Sequence, residues 1–201
     1  MTKAKGMSLL LAAAFSIGAM TGTAGAAGSF MKTGSRTTQP VGHYELCRKL
    51  PQECRQKTAR HAPIELTRGL WSSIVSINNA VNAAVAPKTD MEIWGREEVW
   101  SYPAGEGDCE DYALEKRRQL MALGMPAGDL LITVVRQPNG DGHAVLTVRT
   151  SLGDYVLDNL EPRVLAWEET PYTYLKRQSD TNSGAWVKIN DGRAEAVASV
   201  R

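Results

Sequence analysis

The chain has almost no net charge, no apolar run after its first twenty residues long enough to cross a membrane, and no internal repeat. It has only three histidines and three cysteines. Each scarcity excludes something. Lys and Arg number 23 against 22 Asp and Glu, a formal balance of +1. That balance makes no electrostatic case for nucleic acid or an anionic membrane surface as a partner. The one long apolar stretch, 7–20, follows Lys3 and Lys5 and precedes Ala24-Gly25-Ala26. A positive start, a short apolar core and an A-x-A pattern predict an export signal, residues 1–26, cleaved after Ala26. The stretch is shorter than the roughly 20 residues of a spanning helix, which argues against an anchor. Cleavage removes two lysines and no acid, taking the charge from +1 to −1. The remainder is one domain's worth of chain, able to bury a core without help from disulfides.

Export implies an oxidising compartment, where thiols pair. Cys47 and Cys54 are close in sequence and form the natural pair, worth roughly 2–3 kcal/mol in the chain-entropy model. Cys109 is then left over, and a leftover thiol in an exported chain is a candidate reactive group. A competing arrangement is a zinc site of His43, Cys47, Cys54 and His61, although its spacings do not match the short hooks of known zinc modules.

Residues 27–62 are expected as a leader carrying the Cys47–Cys54 pair. Its first part, 27–42, is rich in Gly, Ser and Thr and reads as extended or disordered. Leu66, Leu70, Ile74, Ile77, Val81 and Val85 recur in steps of three and four, predicting an amphipathic helix over 64–85 that Pro87 ends. Residues 91–103 read as a loop or short helix with Trp94, Trp100 and Tyr102 as aromatic cover. After the turn 104–107, Asp108 is placed to cap a helix, with Asp111 three residues on as in a capping box. That helix ends at Gly124 and Pro126. Strand-forming runs follow at 130–135, 143–150 and 155–160, and two more are expected at 172–176 and 185–189. Helices first, then strands joined by short turns, predict an α+β fold with an antiparallel sheet spanning 63–190, and a tail at 191–201.

Cys109 falls at the first position of a helix after a Gly-rich turn. Unpaired N–H groups and the helix dipole favour negative charge there, and a thiol so placed ionises more readily. A buried structural cysteine is the plainer alternative, but the Gly-Asp-Cys-Glu-Asp context of 107–111 is too polar for ordinary core. A thiol nucleophile needs a base and the base needs an orienting group. His143 opens a strand after a Gly-rich turn, and Asp158 lies in the next, among residues where Asp is scarce. A tight turn centred on Leu152-Gly153 would pair His143 nearer Pro162 than Asp158. A triad therefore requires a bulge, a skewed register or a diagonal approach.

The runs Gly107-Asp108-Cys109-Glu110-Asp111-Tyr112-Ala113, Gly142-His143-Ala144-Val145 and Val156-Leu157-Asp158-Asn159-Leu160 resemble the bacterial transglutaminase-like cysteine proteinases, of the periplasmic LapG type. The resemblance runs from about 66 to 187 and takes in Trp94-Gly95, Trp100-x-Tyr102-Pro103 and Lys176-Arg177-Gln178-Ser179. It implies a papain/transglutaminase-like core, with the nucleophile at a helix N-terminus packed on an antiparallel sheet. Cys109 is then nucleophile, His143 base and Asp158 its orienting acid. Asp108, Glu110 and Asp111 set negative charges beside the thiol, which disfavours the thiolate. Clustered carboxylates suit Ca²⁺, and the resemblance likewise implies calcium dependence. It further implies a large surface adhesin as substrate, cut near its N-terminus to release it and disperse a biofilm. The implied regulator is an inner-membrane cyclic-di-GMP receptor that sequesters the protease. A transglutaminase or a peptidoglycan amidase is the alternative on the same triad. The backbone N–H of Cys109 is one expected oxyanion donor, and the indole of Trp94 or Trp100 could supply a second.

Overall fold

A computed structural model describes residues 1–2 and 29–191. All but the first two residues of the expected signal segment, and all but the first of the expected tail, lie outside the described residues. Among the described residues no helix is long and apolar enough to cross a membrane.

The core is a seven-stranded sheet in the order β1-β9-β8-β4-β5-β6-β7, every neighbouring pair antiparallel. Its strands are β1 (Thr33–Thr37), β4 (Leu130–Arg136), β5 (Gly142–Thr150), β6 (Gly153–Leu157), β7 (Leu165–Ala166), β8 (Thr173–Ser179) and β9 (Asn182–Ile189). Among the described residues, five α-helices, α1 (Val41–Lys49), α2 (Pro51–Cys54), α3 (Arg68–Ala84), α4 (Asp90–Trp94) and α5 (Cys109–Ala122), precede the six C-terminal strands. A two-residue pair joins β2 (Ala86–Pro87) to β3 (Glu106–Gly107) in parallel. The antiparallel α+β expectation is met.

Alternation along the strands divides the core in two. Leu130, Ile132, Leu146, Val148 and Leu157 face the helices, where they bury Leu114 and Leu120 of α5 and Ile74 of α3. Val135, Val145 and Val156 face the other side, under Met31, Trp167 and Tyr174. The sheet is thus covered on both faces, and β4 and β5 at its centre are almost wholly buried.

Three local outcomes differ from the sequence reading. First, residues 27–62 are not a separate leader. Residues 33–37 add an edge strand to β9, and α1 buries Gly42, His43 and Leu46 against the core. Second, α3 begins at Arg68 rather than 64. Thr67 caps it by accepting from the Leu70 N–H, while Ile64 is drawn into a bridge with Thr150. Third, Pro87 does more than stop a helix. Its pairing with Gly107 ties the end of α3 to the residues that lead into α5.

α1 approaches the 95–102 segment closely. A Cβ built on Gly42 would lie 2.2 Å from Trp100 Cδ1 and 2.8 Å from the Glu98 carbonyl oxygen. Glu98 holds a left-handed conformation, φ 59°, beneath this contact. Neither backbone can retreat without moving the Trp100 ring, which packs edge-on against His43 and Trp186. Gly42→Ala is expected to cost about 1–3 kcal/mol by overpacking, read as a lower urea midpoint at unchanged slope.

Candidate active site

α5 starts at Cys109 because Asp108 is extended and the β2–β3 pairing delivers the chain there. Asp108 sits at the N-cap but makes no side-chain capping bond, and Asp111 does not close a capping box. Asp111 Oδ1 instead accepts from the Ser101 N–H at 2.8 Å. Gly107 makes room for this: a Cβ there would lie 2.8 Å from Asp111 Oδ2.

The three side chains expected as a triad come together. Cys109 and His143 line one cavity of about 500 Å³, with Pro40, Val41, Glu98, Trp100 and Lys176 among its walls. His143, buried at the start of β5, shares a 2.8 Å hydrogen bond between Nε2 and Asp158 Oδ1. The difficulty over register resolves as a diagonal approach. The turn is Ser151-Leu152, so Thr150 faces Gly153 and Leu146 faces Leu157. Continued, that register would set Asp158 opposite Val145, two residues from His143. A diagonal pair of this kind lies within reach of an imidazole and a carboxylate. Asp158 is freed for it because β6 ends at Leu157.

Asp158 is well furnished with donors. The Leu160 N–H donates to Oδ1 at 3.0 Å and the Tyr172 hydroxyl donates to Oδ2. Burial alone would raise its pKa, but the bonds from His143, Leu160 and Tyr172 outweigh burial and hold it below the usual carboxylate value. Tyr172 had not been singled out from sequence. Only its position before a strand of buried tyrosine hinted at it.

The thiol donates to Glu110 Oε2 at 3.1 Å and accepts from the Ala144 N–H at 3.3 Å. Among the described residues it makes no hydrogen bond to His143. With Nε2 on Asp158, Nδ1 is the imidazole nitrogen left for the thiol. The helix N-terminus favours a thiolate, but burial and then the Glu110 charge hold the thiol well above its ordinary pKa. Trp94 is exposed, whereas Trp100 is buried and lines the cavity. Neither indole makes a hydrogen bond among the described residues.

The carboxylates form a tighter group than the sequence indicated, with one member exchanged. Asp90, Asp108 and Glu110 bring ligand oxygens within 4.8 Å of one another. Asp111 is outside this trio, its Oδ2 buried without a hydrogen-bond partner. Asp90 was missed because 91–103 reads as aromatic loop. The signal was there in Thr89-Asp90-Met91-Glu92: Thr89 and Glu92 form a capping box that fixes Asp90 in the first turn of α4. Asp90 Oδ1 and Asp108 Oδ1 are buried with no hydrogen-bond partner. Burial and then the Asp108 charge push Glu110 up to about 9. Burial raises Asp111 to about 7, with Asp108 and Asp90 adding to it. Buried like charges with orphaned oxygens are the chemistry of an oxygen-ligand cation site.

The zinc alternative is not met. Cys47 and Cys54 are bonded to each other, with Cα atoms 5.5 Å apart. His61 turns to Asp129 at 2.8 Å, which holds its pKa above 6.5, helped by the Ala59 carbonyl. A raised histidine stabilises most below its unfolded pKa of about 6.5, and that contribution fades as pH rises through the folded value. The Tm deficit of His61→Ala is therefore expected to be largest near pH 6 and to shrink by pH 8.5, as measured by thermal scans across pH.

A thiol at a helix N-terminus, sharing a cavity with an imidazole hydrogen-bonded to a carboxylate, on a helix-plus-antiparallel-sheet core, defines a cysteine hydrolase of the papain/transglutaminase class. Residues 33–194 match the family model of the bacterial transglutaminase-like cysteine proteinases. The chain belongs to that family and is a transglutaminase-like cysteine peptidase. Among solved structures it is similar to LapG of Legionella pneumophila. One structure of that protein aligns at 26% identity over 64% of this chain and 73% of that one, with a TM-score of 0.50. An EGTA-treated structure aligns at 25% identity over 62% and 73%, also at 0.50. A calcium-bound structure aligns more loosely, at 24% identity over 66% and 82%, with a TM-score of 0.44. No match was found among curated proteins.

Proposed function

We propose that this peptidase acts through Cys109, His143 and Asp158, and that it is calcium-dependent and periplasmic. The observation that carries the triad is the shared cavity, in which the only free cysteine among the described residues meets a histidine already paired to its acid. His143 Nδ1 takes the thiol proton as Sγ attacks the scissile carbonyl carbon. The same imidazole then protonates the departing amine. Water, deprotonated by His143, hydrolyses the Cys109 thioester and frees the thiol. Asp158 holds the ring and stabilises the imidazolium without itself becoming protonated. The Cys109 N–H, at the open end of α5, is placed to donate to the developing oxyanion.

Asp90, Asp108 and Glu110 would hold the calcium ion, with Asp111 outside the trio. A bound cation would supply positive charge that offsets these carboxylates next to the thiol. The substrate reading is a large surface adhesin cleaved near its N-terminus, which would release it and favour biofilm dispersal. A membrane receptor for cyclic-di-GMP would sequester the enzyme. The family match and the likeness to LapG support this reading. Incubating the adhesin's N-terminal fragment with the purified enzyme and calcium tests it. Cleavage that is absent with Cys109→Ala supports the reading, and an intact fragment counts against it.

A further inference from the structure

The acid of the proposed triad is held by a loop rather than a strand, since β6 stops one residue before it. A loop carboxylate keeps a fixed place only if its backbone is anchored. Two amides on α3 provide anchors. Asn82 Nδ2 donates to the Asp158 carbonyl oxygen at 2.8 Å, and Asn78 Nδ2 donates to the Pro162 carbonyl oxygen at 3.0 Å. Four residues apart, they stack on one face of the helix and grip the loop at positions 158 and 162.

This placement has a cost that calls for a reason. Asn78 is 0% exposed and lies between Ile74 and Val81 on the inner stripe of α3. Asparagine is a poor helix residue, and burying an amide is unfavourable unless it is hydrogen-bonded. Asn78 Oδ1 and Asn82 Oδ1 are both buried without partners, so each amide is only half satisfied. An apolar residue would suit the stripe better if stability were the only demand. The satisfied half of each amide points at the loop that carries Asp158.

We propose that Asn82 and Asn78 are positioning residues that fix the Asp158 carboxylate on His143 Nε2, a proposal that rests on the triad reading above. Neither lines the cavity, and both act through the loop backbone they hydrogen-bond. Asn82 bonds to Asp158 itself and carries the larger effect, while Asn78 braces the far end.

The test uses Asn82→Ala, Asn78→Ala and the volume-preserving Asn82→Asp, which replaces the donor with an acceptor. Two readouts are taken alongside Tm. One is the downfield NMR signal of the His143 Nε2 proton, identified by its loss in His143→Ala. The other is kcat and KM on a peptide selected from a mixture-based library with the parent enzyme. Asn82→Ala and Asn82→Asp are expected to shift or broaden the proton signal. They are also expected to lower kcat about 10- to 100-fold, the scale of a misplaced catalytic group, with KM changed less than about 2-fold. Asn78→Ala moves both readouts less. If the Asn82 variants lower Tm but leave the proton signal and kcat as in the parent, the amides serve stability alone and the proposal is overturned. Asp158→Asn separates this from failure of the triad. An inactive Asp158→Asn beside an unaffected Asn82→Ala refutes only the positioning role, whereas a fully active Asp158→Asn refutes the triad and the positioning role with it.

Discussion

Cys109→Ala is expected to reduce peptide cleavage to background, a loss of at least about 10⁴-fold in kcat. The expectation rests on position. Sγ is the one thiol among the described residues outside a disulfide, and it opens into the cavity that also holds His143. The contacts removed are one weak bond to Glu110 and one from the Ala144 N–H, neither of which holds the fold. Circular dichroism and Tm should therefore stay close to the parent, which makes the loss chemical rather than structural. Cys109→Ser keeps an OH donor for Glu110 but offers a poorer nucleophile, and it should fall by a similar factor. A Cys109→Ala enzyme retaining more than about 1% of parent kcat would mean that the thiol is not the attacking group.

Calcium added to chelator-treated protein is expected to raise Tm by about 5–10 °C at a hundredfold excess over Kd. Binding to the folded state alone contributes about 2.7 kcal/mol at that excess, and a domain of this size gains about 2–4 °C per kcal/mol. The physical source is the trio of Asp90, Asp108 and Glu110, whose oxygens converge within 4.8 Å while two of the three residues are buried. Without a cation these groups face one another across little solvent. With one, repulsion becomes coordination. Magnesium should give much less, because it demands tight octahedral geometry and gives up water reluctantly. Asp90→Ala and Asp108→Asn should each abolish most of the calcium shift, while Asp111→Asn, outside the trio, should leave more of it. Equal Tm in calcium, magnesium and chelator would show that the trio holds no calcium.

The helix that opens at Cys109, the strand that carries His143 and the strand that leads to Asp158 were legible in sequence from their start signals and residue types. Short, near-continuous runs of β-branched and apolar residues mark β4, β5 and β6, and Asp108 followed by Cys109 marks the start of α5. The order helix, strand, strand already implied that the three side chains could converge. The diagonal approach was not legible, because it depends on a turn displaced by one residue and on where β6 stops. β1 was missed for a different reason. Thr33–Thr37 is polar and mostly exposed, an edge strand with no apolar face, so nothing in its pattern distinguishes it from a disordered segment. α1 escaped notice because its buried residues are Gly42, His43 and Leu46, only one of which is conventionally hydrophobic. Two members of the carboxylate trio, Asp108 and Glu110, were visible in sequence because they flank Cys109. Asp90 comes from a distant turn that only tertiary structure delivers.

The proposed reactive groups all come from one unbroken stretch, 109–158, that runs from α5 through β4 and β5 to the end of β6. The cavity wall is only partly theirs: Glu110, Val134, Gly142 and Ala144 belong to that stretch, and the rest does not. Pro40 and Val41 come from far upstream, Glu98 and Trp100 from the segment before α5, and Lys176 from β8. Part of the selectivity is therefore heritable separately from the chemistry. Exchange of the wall segments between family members could redirect what the cleft accepts while the cutting unit passes on unaltered.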